Sequence, residues 1–304
     1  MSFIDPYRLD PAQGSHDLMR ALRSYRHWSE PEDISGREAV LIGSAAHCLV
    51  LEPDEFDQRY RQPWTPPPGA VETTAQMTDA LRAAGVKGYS GKKRDDLIAM
   101  LAEHCPDVRI ADDLRAEFEA TDQRTELSAA AYDRVLGIAA AVRTDRQAAA
   151  ILADAVGFEV PGYWTDPATG VACKRKLDIE LPGGLADLKT CACPYDFGQR
   201  LRYADTSTLL QFLHYRTGGQ VLRGLSESVY IIAVGSTPPH DVVVYRLDPD
   251  LLERAADNYR RALSRVRHWQ ALEIDVQMGT EQPIDPQVTG YGSIVNVNEW
   301  GPQW

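Results

Sequence analysis

Apolar positions along this chain recur first in a helical rhythm and later in a strand rhythm. Residues 14–28 read as a helix, with Leu18, Leu22 and Tyr25 on one stripe and Arg20, Arg23 and Arg26 off it. A second helix is predicted over residues 35–51, with Ser35 as N-cap and Glu38 three residues on, a capping-box spacing. Its apolar positions include Val40, Leu41, Ala45, Cys48 and Leu49, and Gly43 and Ala46 are small enough for close packing. His47 is the polar exception, either a hydrogen-bonded core histidine or a ligand. Residues 63–69 are a proline-rich break. Two short helices follow, over residues 78–86 and 90–101, with a glycine loop and the cluster Lys92, Lys93 and Arg94 between them. Residues 107–125 are acidic and read as loop. Residues 128–153 are alanine-rich and helical, with Tyr132, Val135, Leu136, Ile138 and Ala139 as the apolar stripe.

From Glu159 the punctuation changes to strand, turn, strand, turn, strand. Residues 166–170, Asp-Pro-Ala-Thr-Gly, form a tight turn, because proline fixes one dihedral and glycine supplies a positive one. Residues 182–184, Pro-Gly-Gly, form the next. The middle strand, 171–179, presents Asp178, and the third, 185–190, presents Asp187 and Lys189. Alternation puts Asp187 and Lys189 on one side. A short helix over 194–203 carries Arg200 and Arg202, and the helix over 206–222 carries Gln211 and Tyr215 one turn apart. That pair either touches nucleic acid or ties helix to sheet. Strands follow at 228–236 and 242–247, then a helix over 248–272 with Arg254, Arg261 and Arg265 on one side, either solvated or a phosphate-tracking wall. The order predicts an α+β fold with a central mixed sheet flanked by helices.

Composition narrows this picture. The 304 residues, 44% apolar, suffice for one large domain or a domain with an insertion. No run approaches the roughly 18 apolar residues of a membrane span, and the polar N-terminus is unlike a signal peptide. Five irregularly spaced cysteines argue against a disulfide framework and for a reducing, cytoplasmic setting. A net charge of −12 disfavours a uniformly basic nucleic-acid binder, but basic residues in one channel, or bound cations, leave DNA open as a partner.

Two aspartates and a lysine at the ends of adjacent strands have specific chemistry. Carboxylates hold a hard divalent cation through oxygen. A lysine beside the scissile phosphate offsets negative charge. Together they have the layout of a metal-dependent phosphodiesterase. Glu159 is placed to be a third carboxylate near the metals or a surface glutamate.

Asp178 followed by Asp187-Leu188-Lys189 after a hairpin resembles the PD-(D/E)xK nuclease core. Tyr163-Trp164-Thr165-Asp166, Thr169-Gly170, Cys173-Lys174 and Thr190 extend the resemblance to RecE-type phage exonucleases (exodeoxyribonuclease VIII). So do residues 41–47, Leu-Ile-Gly-Ser-Ala-Ala-His, with Leu51-Glu52-Pro53 after them, and Gln211 with Tyr215 fits the Gln-x-x-x-Tyr motif of RecB-like nucleases. The resemblance implies residues 1–62 as a helical part of the nuclease domain, 63–106 as a small helical insertion similar to SAP or HeH modules, 107–273 as the core and 274–304 as a tail. The tail, with Trp300 and Trp304 near its end, suggests docking on a neighbour. Lys92, Lys93 and Arg94 would either contact phosphates or form the solvated, charged face of a helical insertion.

It further implies two-metal hydrolysis with Mg²⁺, Mn²⁺ being the alternative. Asp178, Asp187 and His47 would be ligands, the Leu188 carbonyl an extra oxygen, and Lys189 would position or deprotonate water. Arg175, Arg200 and Arg202 are candidates for a 5′-phosphate pocket. The expected substrate is a linear duplex DNA end, degraded 5′ to 3′ to leave a 3′ single strand, by a ring-shaped homo-oligomer, a tetramer favoured, working with a RecT-like single-strand annealing protein. The alternatives are a RecB-like repair or CRISPR-adaptation nuclease and a non-catalytic DNA-end-binding protein. An iron–sulfur cluster of the adaptation type needs cysteines after the Gln-x-x-x-Tyr helix, and all five here precede Gln211.

Overall fold

The computed structural model describes residues 6–34, 36–203 and 206–277. The predicted cap at Ser35 and the aromatics at the end of the tail lie outside these residues. The chain divides into two compact units, residues 57–132 and a larger one built from residues 4–56 and 133–304.

The elements begin with α1 (Pro6–Leu9), α2 (Ser15–Arg23), α3 (Tyr25–Ser29), α4 (Glu38–Leu51), α5 (Pro53–Arg59) and β1 (Tyr60–Arg61). The expected helix over 14–28 is broken at Ser24, which is fully extended and whose hydroxyl accepts from the His27 amide, starting a new helix. The smaller unit then contributes α6 (Thr74–Ala83), α7 (Arg94–His104), α8 (Ala111–Thr121) and β2 (Thr125–Glu126). Its core is Met77, Leu81, Leu97, Leu101 and Ile110. The acidic stretch expected to be loop is the helix α8. Asp112 and Asp113 sit in its first turn, where carboxylates favour the helix dipole, and Ala, Leu, Arg and Glu are strong helix formers. This unit therefore extends past the predicted insertion.

α9 (Ala129–Thr144) and α10 (Arg146–Ala153) replace the single helix expected there. Asp145 breaks it, its carboxylate accepting from the amides of Gln147 and Ala148 at 3.0 and 2.9 Å. The larger unit is completed by β3 (Gly157–Thr165), β4 (Ala172–Leu181), β5 (Gly184–Cys191), α11 (Pro194–Tyr203), α12 (Thr206–Arg223), β6 (Ser228–Gly235), β7 (Val242–Arg246), α13 (Pro249–Glu253) and α14 (Ala256–Gln277).

The five-stranded sheet has the order β3-β4-β5-β6-β7. Only the β5–β6 pair is parallel, and α11 and α12 form the crossover between those strands. The β3–β4 turn uses the predicted residues. Asp166 accepts from the Thr169 amide at 2.8 Å and its hydroxyl at 2.7 Å, and Gly170 takes a φ of +73°. Gly184 is needed where β5 meets β6, because a Cβ there would stand 2.4 Å from the Ser228 carbonyl oxygen. The sheet core includes Leu177, Leu185, Ile231 and Ala233, packed with Leu209, Phe212 and Leu213 of α12. α4 packs against β4 and β5, and Gly43 lets it approach Thr190. Among the described residues, no helix is long and apolar enough to cross a membrane.

Candidate active site

The β4–β5 ladder starts at Leu181↔Gly184, runs through Glu180↔Leu185 to Ile179↔Ala186, and stops. The next residues on the two strands are Asp178 and Asp187. The strands part there, and the Leu188 amide donates to Asp178 Oδ2 at 2.9 Å. The chemistry-bearing carboxylates therefore stand where the sheet opens.

α4 brings His47 to this opening, with Nδ1 3.4 Å from Asp178 Oδ2. β3 brings Glu159. Register pairs Phe158↔Ile179 and Val160↔Leu177 flank it, so Glu159 stands across from Asp178 in an unpaired position. Its φ is +53°, a left-handed backbone that costs a non-glycine residue about 1–3 kcal/mol. One ligand atom each from His47, Glu159 and Asp178 lie within 4.8 Å of one another. Two carboxylates and an imidazole form an oxygen-rich set suited to Mg²⁺ or Mn²⁺.

Asp187 stands beside this trio rather than in it. It is 1% exposed; Oδ2 lies 2.8 Å from Lys189 Nζ, and Oδ1 accepts from Gln211 Nε2 at 3.1 Å. The Lys189 ammonium is the charge that faces the buried Oδ2. Of the expected ligands, His47 and Asp178 come together with Glu159, and Asp187 adjoins them through its pairing with Lys189. Glu159 stands where a third carboxylate is expected, and Leu188, whose carbonyl is expected to ligate, donates its amide to Asp178.

Burial first and the Asp187 charge second push the Asp178 carboxyl up to about 7, against the opposing pull of His47, Lys189 and the Leu188 amide. Burial also raises the Tyr215 hydroxyl, with Asp187 and Asp178 contributing. Tyr215 and Gln211 are both buried, and Gln211 Nε2 also donates to the Tyr215 hydroxyl at 3.2 Å. The pair ties α12 to Asp187.

The predicted basic residues divide. Arg175 is 3% exposed and forms a bidentate pair with Glu227 at 2.6 and 3.1 Å, besides donating to the Tyr215 carbonyl. It is a strut inside the larger unit, not a phosphate contact, because its fork is consumed by a buried carboxylate. Arg200 and Arg202 are exposed on α11. In the smaller unit Lys92 and Lys93 are exposed, whereas Arg94 is bidentate to Asp112 at 2.9 Å and donates to the Glu72 carbonyl.

Two residues near the opening escaped the sequence reading. Lys176 Nζ lies 2.7 Å from Glu159 Oε2. Its spacing two before Asp178 on a strand was the available signal. His16, in the first turn of α2, is held below the ordinary imidazole value by crowding from protein atoms and then by the Lys189 and Arg20 charges, although its residue surface is exposed. Its approach is tertiary and leaves no local pattern.

The fold and this opening define a PDDEXK-like domain. Residues 20–282 match the family described as a PDDEXK-like domain of unknown function (DUF3799), and the chain belongs to that family. A solved structure from Eubacterium rectale, of a protein described as a candidate exonuclease, aligns at a TM-score of 0.51 and 12% identity over 100% of both chains. That likeness concerns the fold. No curated protein matches the sequence significantly.

Proposed function

We propose that this chain is a divalent-metal-dependent nuclease that hydrolyses DNA phosphodiesters. The observation that carries the reading is the convergence of His47, Glu159 and Asp178 beside the Asp187–Lys189 pair at the parted end of β4 and β5. Membership of a PDDEXK-like family and the fold shared with a protein described as a candidate exonuclease support it.

His47, Glu159 and Asp178 would hold the cation, with Asp187 facing it from the side. When bound, a divalent cation polarises the phosphate and lowers the pKa of water. The Lys189 ammonium offsets charge that builds on the phosphate oxygens, and Asp187 keeps that ammonium at the site. Gln211, braced by Tyr215, fixes Asp187 in turn. The Leu188 amide favours the charged form of Asp178 against its burial, and a bound cation would favour it further.

The finer reading is an exonuclease on linear duplex ends, cutting 5′ to 3′ and leaving a 3′ strand for an annealing protein. A ring-shaped homo-oligomer belongs to the same reading, as do exposed Arg200 and Arg202 as contacts to the DNA end and Lys92 and Lys93 as phosphate contacts in the smaller unit. Linear duplex labelled separately at its 5′ and 3′ ends tests it. Early release of the 5′ label with Mg²⁺ or Mn²⁺ and none with EDTA is the expected result. Early release of the 3′ label reverses the polarity, and cutting of covalently closed circles contradicts end dependence.

A further inference from the structure

Glu159 is an unusual metal ligand. It lies on an edge strand, its backbone is left-handed, and the ladder pairs on either side of it leave it unpaired. Register brings Glu159 opposite Asp178, but a left-handed backbone on an edge strand leaves its long side chain several directions to take. The contact that fixes its carboxylate is with Lys176. Lys176 and Asp178 are two apart on β4 and so share a face. The Lys176 ammonium lies 2.7 Å from Glu159 Oε2, and both side chains are mostly shielded, at 27% and 20% exposed. A carboxylate has two oxygens, so an ammonium on one leaves the other for a cation.

We infer that Lys176 is a positioning residue of the metal site, holding Glu159 in the ligating orientation. The inference rests on the proposed reading of the site and goes beyond it by assigning a role to a cation that itself binds no metal. Partners of this kind orient a ligand, and their loss weakens metal binding by about 10–100-fold. The sign makes the inference sharp. By Coulomb's law alone, removing a positive charge beside a cation site tightens cation binding. Positioning predicts the reverse, a weaker site after the charge is gone. Contact with the DNA backbone predicts at most that Coulombic tightening, together with a raised KM for DNA.

The experiment is calorimetric titration of the full-length chain with Mn²⁺ in the absence of DNA. Lys176→Met is expected to weaken Mn²⁺ binding about tenfold or more, and Lys176→Arg, which keeps an ion-pairing head, to recover most of it. Lys176→Gln serves if the methionine variant melts well below wild type. In a Glu159→Gln background, Lys176→Met is expected to add little, because the two act through one contact. Mn²⁺ binding that is unchanged or tighter in the Lys176 variants overturns the inference, as does an undiminished effect in the Glu159→Gln background. If Asp178→Asn and Glu159→Gln bind Mn²⁺ as wild type does, the reading of the site falls with it, a separate and recognisable failure.

Discussion

The Leu188 amide and the Asp178 carboxylate meet at 2.9 Å just past the last β4–β5 ladder pair. A backbone donor freed by the parting of two strands is thereby satisfied by the side chain that the site needs charged. The same contact makes Asp178→Asn an informative change. The asparagine oxygen still accepts from Leu188, so the fold should hold, with stability within about 1 kcal/mol of wild type. Loss of the charge should remove Mn²⁺ binding and reduce DNA hydrolysis more than about a hundredfold, the upper range for losing even an outer partner of a metal ligand. Thermal melting and a DNA digestion time course check both halves.

Gln211 reaches Asp187 from α12 and touches no cation itself. Gln211→Ala leaves Asp187 Oδ1 without that donor. Hydrolysis should fall by about 10–100-fold, the cost of losing a hydrogen bond to a group at the site's edge. Gel-shift binding of duplex DNA in EDTA should be unchanged. Weakened DNA binding with an unchanged rate at saturation would mean that Gln211 contacts DNA instead.

Arg175 gives a contrasting expectation. Glu227 is fully buried against it, so Arg175→Ala leaves that interior carboxylate only the longer contact from Arg223 at 3.3 Å. Chemical denaturation should show a loss of about 2–4 kcal/mol, short of the cost of a wholly unpaired buried charge. A variant as stable as wild type but weak on 5′-phosphorylated ends would restore Arg175 to the DNA.

His214 predicts an acid limb of stability. Its ring is fully buried, bonded to the Lys174 carbonyl at 2.9 Å, and burial lowers it to about 4. Above about pH 6.5 the ring is neutral both folded and unfolded, and it adds no pH dependence. Between that value and about pH 4 the unfolded chain takes up a proton that the folded one refuses. Stability should therefore fall with acidification, by at most about 1.4 kcal/mol per pH unit from this group. His214→Gln should flatten that limb in denaturation curves measured across the range.

The β3–β4–β5 hairpins were legible because their turns are coded locally. Asp166, Pro167 and Gly170 specify one turn within a few residues, and Asp178, Asp187 and Lys189 follow from strand alternation. The helix breaks at Ser24 and Asp145 were not, since a continuous apolar stripe conceals a cap in its middle. α8 is hidden by its acidity, since Asp112 and Asp113 suggest a solvated loop while serving the helix N-terminus. Arg175 was misassigned for a physical reason the strand already held. Arg175 and Lys176 are neighbours, so one must face the interior, and the buried Glu227 that receives Arg175 lies 52 residues away. The same distance problem hid Lys176 as the partner of Glu159, because the contact depends on strand register.

The central claim is that His47, Glu159 and Asp178 together hold a divalent cation. Crystals soaked in Mn²⁺ and measured for anomalous scattering test it most directly. The account predicts a peak bonded to all three side chains, about 2.0–2.5 Å from the carboxylate oxygens, and absent from Asp178→Asn crystals. A peak elsewhere, or none between these three residues at saturating Mn²⁺, would contradict it.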